Sequence, residues 1–189
     1  STWKLLKKKK KKMKTNIAII LASKDFRDEE YFITKEVLEK QGNKIKSVSN
    51  EKRAIGRFGG EVLTDILIEE LDIDNFDAVV FVGGSGAIEL LDNNISYNIC
   101  RKCVEKNKIL AAICISPVIL AKSGVLRGKK ATVWSSNMDK SAISIIKENG
   151  AIYSSDPVVI DGNIVTANGP DASEEFALCI DKILKTSNI

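Results

Sequence analysis

Ile109-Leu110-Ala111-Ala112-Ile113-Cys114-Ile115-Ser116-Pro117-Val118-Ile119-Leu120 is the stretch on which the fold turns. Its first five residues are continuously apolar, the pattern of a strand covered on both faces, as in a parallel sheet. Pro117 suits the first turn of a helix, where its missing N–H costs nothing, and Ser116 stands where it can cap that helix. A strand thus runs directly into a helix, with Cys114 in the turn between them.

Working outward, residues 17–22 and 78–82 repeat the short, apolar, β-branched pattern. Between the runs lie segments with helical spacing. Phe32, Val37 and Leu38 line one face, and Ile95, Ile99 and Cys103 line another on a helix from about 95 to 106. Residues 138–149 carry Ile143, Ile145 and Ile146, and several helical segments end on a glycine, Gly42, Gly124 or Gly150. Near the C-terminus, Asp161-Gly162-Asn163 separates two apolar runs as a hairpin turn would. A last helix, from about 172 to 185, presents Phe176, Cys179, Ile180 and Ile183 to the body. The order predicts a doubly wound, three-layer α/β sandwich with a mostly parallel central sheet. Three prolines in total and no Gly/Ser-rich linker argue for one domain over residues 13–189.

Composition removes several chemistries. The 189-residue chain contains no histidine, which excludes Cys-His and Ser-His-Asp pairs and any imidazole metal ligand. Four cysteines, Cys100, Cys103, Cys114 and Cys179, are too few for a disulfide framework and suit a reducing, cytoplasmic setting. No apolar run has the length to span a bilayer. Net charge is +4, but residues 1–12 hold seven lysines and no acid, so the remainder is about three charges negative. That lysine run reads as a solvated leader ahead of Met13, non-native or low in complexity. Nuclear entry or nucleic-acid binding would rest on the tail alone, because no basic stripe or recognised module appears in the body.

Chemistry in such a sheet collects at the carboxyl ends of the strands. Cys114, in a strand-to-helix turn, has the placement of a nucleophile elbow, and the helix N-terminus is expected to lower its thiol pKa. After the first run, residues 24–32 crowd acids into the start of a helix. If the first and third strands neighbour one another, a carboxyl from this segment can reach Cys114. To help, it has to be buried and protonated, since an ionised carboxylate raises a thiol's pKa. After the second run, Gly83-Gly84-Ser85-Gly86 offers backbone N–H groups to an oxyanion. It is neither a dinucleotide fingerprint nor a P-loop: Glu89 holds the last glycine position, and no lysine follows. Cys100-Arg101-Lys102-Cys103 lies inside a helix and reads as core packing, and a zinc site lacks further ligands. No cofactor or metal is expected.

Taken together, Phe26-Arg27-Asp28-Glu29-Glu30, Gly83-Gly84, residues 111–117, Gly124-Val125-Leu126-Arg127-Gly128-Lys129 and residues 169–178 resemble the ThiJ/PfpI family, which includes the Parkinson-associated protein deglycase, in family order across about 14–186. The resemblance implies a flavodoxin-like fold, related to class I glutamine amidotransferases, and a homodimer. It places the nucleophile on Cys114, the acid on Glu30 and oxyanion-binding amides on Gly84 and Ile115, with Gly83 beside them. Two departures stand out. Ile115 replaces the histidine that follows the cysteine in the protease-like branch, and Trp134 occupies the position of the deglycase branch's later histidine. Peptidase and amidotransferase readings lose their base, which leaves an intracellular cysteine peptidase a lesser alternative. Two classes remain: glyoxalase or deglycase action on reactive aldehydes or their protein or thiol adducts, and a non-catalytic oxidative-stress sensor or chaperone whose Cys114 oxidises to a sulfinic acid.

Overall fold

The structure is a computed structural model and describes Thr2 and residues 15–187. The lysine-rich leader, apart from Thr2, and Met13 lie outside the described residues. The chain order is β1 (Asn16–Ile20), β2 (Lys24–Phe26), α1 (Asp28–Lys40), β3 (Lys44–Ser49), β4 (Arg53–Gly56), β5 (Glu61–Leu63) and β6 (Ile66–Leu67). It continues with β7 (Ala78–Phe81), α2 (Ser85–Leu90), α3 (Asn94–Glu105), β8 (Ile109–Ile113) and α4 (Pro117–Ser123). The last elements are β9 (Lys130–Ala131), α5 (Ser141–Glu148), β10 (Ile152–Tyr153), β11 (Val158–Asp161), β12 (Ile164–Ala167) and α6 (Ser173–Ser187).

Seven strands form the main sheet in the order β11-β12-β8-β7-β1-β3-β6, all parallel except the β11–β12 hairpin. Because side chains alternate along a strand, the three central strands feed two cores at once. Ala18, Ile20, Val79, Phe81, Leu110 and Ala112 face one layer, where α2, α3, α4 and α5 pack. Ile17, Ile19, Val80, Ala111 and Ile113 face the other, covered by α1 and α6. This is the expected three-layer sandwich. Two smaller sheets stand beside the main one, β2-β4-β5 and β9-β10.

Several local expectations are corrected. On α1 the buried positions are Asp28, Glu30, Tyr31, Thr34 and Leu38, and Phe32 is 40% exposed. Leu38 is buried and Val37 packs against the core as expected, so only Phe32 leaves the expected face, and Tyr31 is buried in its place. Ile95 is likewise exposed, while Ile99 and Cys103 are buried as expected, together with Ser96 and Cys100. The helix expected from residue 138 begins at Ser141, because Asp139 accepts the Ser141 N–H at 2.9 Å and ends the preceding turn. Met138 is fully in solvent. The first and third apolar runs are not neighbours, since β7 lies between β1 and β8.

Candidate functional site

Every element needed to place Cys114 meets at the carboxyl ends of β7 and β8. Cys114 has φ +65°, in the left-handed region that a side-chain-bearing residue rarely adopts. Its N–H donates to Ala167 O at 2.9 Å, and its carbonyl accepts the Trp134 N–H at 2.8 Å, so both neighbouring segments hold the strained turn. Pro117 opens α4 as expected. Ser116 does not cap it: its hydroxyl donates to Val82 O at 2.7 Å, tying the elbow to the end of β7.

The glycine pair is dictated by crowding. A Cβ on Gly83 would lie 2.8 Å from both Cys114 Cβ and Glu30 Oε1, and 2.9 Å from Ile113 O. Gly84 has φ +105°, and a Cβ there would stand 2.4 Å from Asp25 O. The Gly83 carbonyl accepts the Arg27 N–H at 2.9 Å. The start of α1 is therefore laid across the end of β7, which is how Glu30 reaches Cys114 although β1 and β8 are not adjacent.

Glu30 is completely buried. Its Oε1 accepts the Gly83 N–H at 2.8 Å, so that amide is committed to the carboxyl and is not the free oxyanion donor expected from sequence. Oε2 meets no hydrogen-bond partner among the described residues, and Cys114 is the neighbouring side chain that couples to this carboxyl. Burial pushes the Glu30 pKa up to about 7, against the opposing pull of the Gly83 amide. A neutral or half-neutral glutamic acid beside the sulfur follows.

The expected lowering of the Cys114 thiol pKa is not found. Burial is the largest influence and raises it, and the nearby Glu30 charge adds to the rise. A seven-residue helix offers little dipole to offset this. The Ile115 and Gly84 amides pull the other way, toward thiolate. Cys114 and Glu30 thus titrate as a coupled pair. The cysteine is partly exposed, unlike Cys100 and Cys103, which are wholly buried on α3, with burial pushing Cys103 up to about 12. Cys179 is half-buried against the α1/α6 core.

Residues 15–183 match the DJ-1/PfpI family. The chain belongs to that family. An uncharacterized protein of Methanocaldococcus jannaschii is 39% identical over 95% of this chain and 88% of its own length. Deglycase PfpI of Pyrococcus furiosus is 31% identical over 80% of this chain and 89% of its own. The solved ThiJ/PfpI domain protein of Brachyspira murdochii superposes with a TM-score of 0.86 at 36% identity, covering 92% of this chain and 98% of that one. Drosophila melanogaster DJ-1beta superposes with a TM-score of 0.80 at 29% identity, covering 90% of each chain.

Of the residues expected at the site, Cys114, Glu30, Gly83, Gly84 and Ile115 converge. Trp134 is joined to Cys114 through its backbone and is half-buried. Arg27 was overlooked as a site residue. It lies within electrostatic reach of Cys114 and Glu30, donates from Nε to Glu29 at 2.5 Å and stacks over Phe58, 5.0 Å from the ring centroid. Its position three residues before Glu30 was the available signal. Among the described residues no group of acids and cysteines is arranged to hold a metal ion, and no helix is long and apolar enough to cross a membrane.

Proposed function

We propose that the protein is a cofactor-independent enzyme of the glyoxalase or deglycase kind, acting on small α-oxo aldehydes or their protein or thiol adducts. The single observation that carries this reading is a partly exposed cysteine on a strained turn, paired with a buried carboxyl group whose pKa, pushed up to about 7, lets it both take and give a proton. With methylglyoxal, the Cys114 sulfur adds to the aldehyde carbon and its proton passes through the Glu30 carboxylate to the carbonyl oxygen, giving a hemithioacetal. The Glu30 carboxylate then takes the hydrogen of that carbon as a proton and returns it to the neighbouring carbon, which converts the hemithioacetal into a thioester of a 2-hydroxy acid. Water cleaves the thioester and regenerates the thiol. The sum is aldehyde plus water to hydroxy acid, with no external oxidant or reductant. The Gly84 and Ile115 amides suit the developing oxyanion. A histidine-dependent peptidase is disfavoured because the chain has no histidine.

A second reading has its own support. The same two amides and the neutral Glu30 also suit the oxygens of a sulfinic acid on Cys114, which would make the protein a redox sensor or chaperone. A homodimer is proposed with either reading, on family grounds. The deciding experiment is a steady-state assay of lactate formation from methylglyoxal, with Cys114 verified as reduced. Turnover that disappears in Cys114→Ser and Glu30→Gln supports the enzyme. No turnover in the reduced protein rejects it, and selective oxidation of Cys114 by peroxide then supports the sensor.

A further inference from the structure

The guanidinium of Arg27 is held on two sides and open on the third. Nε donates to Glu29 at 2.5 Å, and one face stacks on Phe58. The turn that carries the ring is held at its backbone, because both Asp28 carboxylate oxygens accept its N–H groups, from Phe58 at 2.9 Å and Gly60 at 2.7 Å. A Cβ on Gly56 or Gly60 would stand 2.5 or 2.6 Å from that carboxylate, so the turn is pressed against the start of α1. The Arg27 backbone is anchored to Gly83, the residue that also holds the Glu30 carboxyl. The two terminal amino groups of Arg27 donate to no partner among the described residues, and the side chain is 38% exposed.

A planar fork fixed in this way presents parallel N–H donors, and its natural complement is a carboxylate. Glu29 occupies only the Nε edge. We propose that Arg27 is a carboxylate-recognition arm of the Cys114 site, so that the pocket holds short 2-hydroxy or 2-oxo carboxylates. The proposal rests on Cys114 being the reacting group and deepens that reading by naming the ligand class at the product end. The proposed reaction turns an uncharged oxo aldehyde into a 2-hydroxy carboxylate, so an anion is formed beside the arm. Glu30 in its neutral form adds no repulsion there. Arg27 is a specificity-determining residue in this scheme and takes no part in the proton transfers.

The test is equilibrium binding of lactate and of lactamide, which differ only in the charged end, to the full chain carrying Cys114→Ser. No turnover is needed, so a failed methylglyoxal assay and a failed binding result are separate outcomes. With Arg27 present, lactate is expected to bind about tenfold more tightly than lactamide, the scale of a charge-assisted bidentate contact. Arg27→Met and Arg27→Gln, each checked for native circular dichroism, are expected to abolish the preference. Arg27→Lys keeps the charge without the fork and is expected to retain only part of it. Equal binding of the two ligands by the protein with Arg27 intact, a preference that survives both neutral variants, or a lysine variant as selective as arginine would overturn the proposal.

Discussion

Replacing Glu30 by glutamine keeps the shape of the side chain and removes its titration, so the stability difference between the two proteins isolates the buried acid. In the folded state the Glu30 pKa is about 7, against an ordinary 4.5, because burial disfavours the charge. The gap corresponds to about 3 kcal/mol at 1.36 kcal/mol per tenfold change in proton affinity. The folded value is raised, so the neutral acid contributes its full stability below about pH 4.5, and that contribution is lost as pH rises to about 7 and beyond. Glutamine can still accept the Gly83 N–H through its carbonyl oxygen and pays no ionisation penalty. Urea unfolding of the two reduced proteins between about pH 4 and 8.5 is expected to give near-equal stabilities at the acid end and a glutamine advantage approaching about 3 kcal/mol at the alkaline end. A difference that stays flat across this range would refute the claim that Glu30 is buried as an acid with a raised pKa.

Other consequences concern the elbow and its surroundings. Cys114→Gly, which removes the side chain from a φ of +65°, is expected to stabilise the fold by about 1 kcal/mol over Cys114→Ala while both abolish turnover, as thermal unfolding and the lactate assay would read. Gly84→Ala places a Cβ 2.4 Å from Asp25 O on a left-handed residue and is expected to cost about 3 kcal/mol or prevent folding, checked by denaturant titration. Iodoacetamide followed by peptide mass spectrometry is expected to label Cys179 first and Cys114 more slowly in the native protein, because burial and Glu30 raise the Cys114 thiol pKa, with Cys100 and Cys103 reacting only on unfolding.

Much of the architecture is legible in the chain because it depends on repeated local patterns. Three apolar runs too short for helices mark the central strands, and Pro117 fixes where β8 becomes a helix. What escaped were features set by the site at the expense of local preference. The face of α1 could be read only in part from its apolar residues, since Leu38 shares full burial with the polar Glu30 and Thr34. Ser116 has the residue type of a cap, yet its hydroxyl is drawn to Val82 O by a strand distant in sequence. The same applies to the thiol: proximity to a helix start was visible, but the burial that outweighs it depends on layers contributed by α1, β7 and β12. Arg27 was passed over because its importance comes from a turn about thirty residues later, the one carrying Phe58.

The central claim is that the Cys114 sulfur and the Glu30 carboxyl share a site tightly enough for the charge of one to set the titration of the other. Thiolate absorbance near 240 nm, followed against pH in protein whose other three cysteines are replaced by serine or alanine, measures this directly. The account predicts that Glu30→Gln lowers the apparent pKa of Cys114, because the carboxylate that raises it is gone. An unchanged Cys114 titration would contradict it.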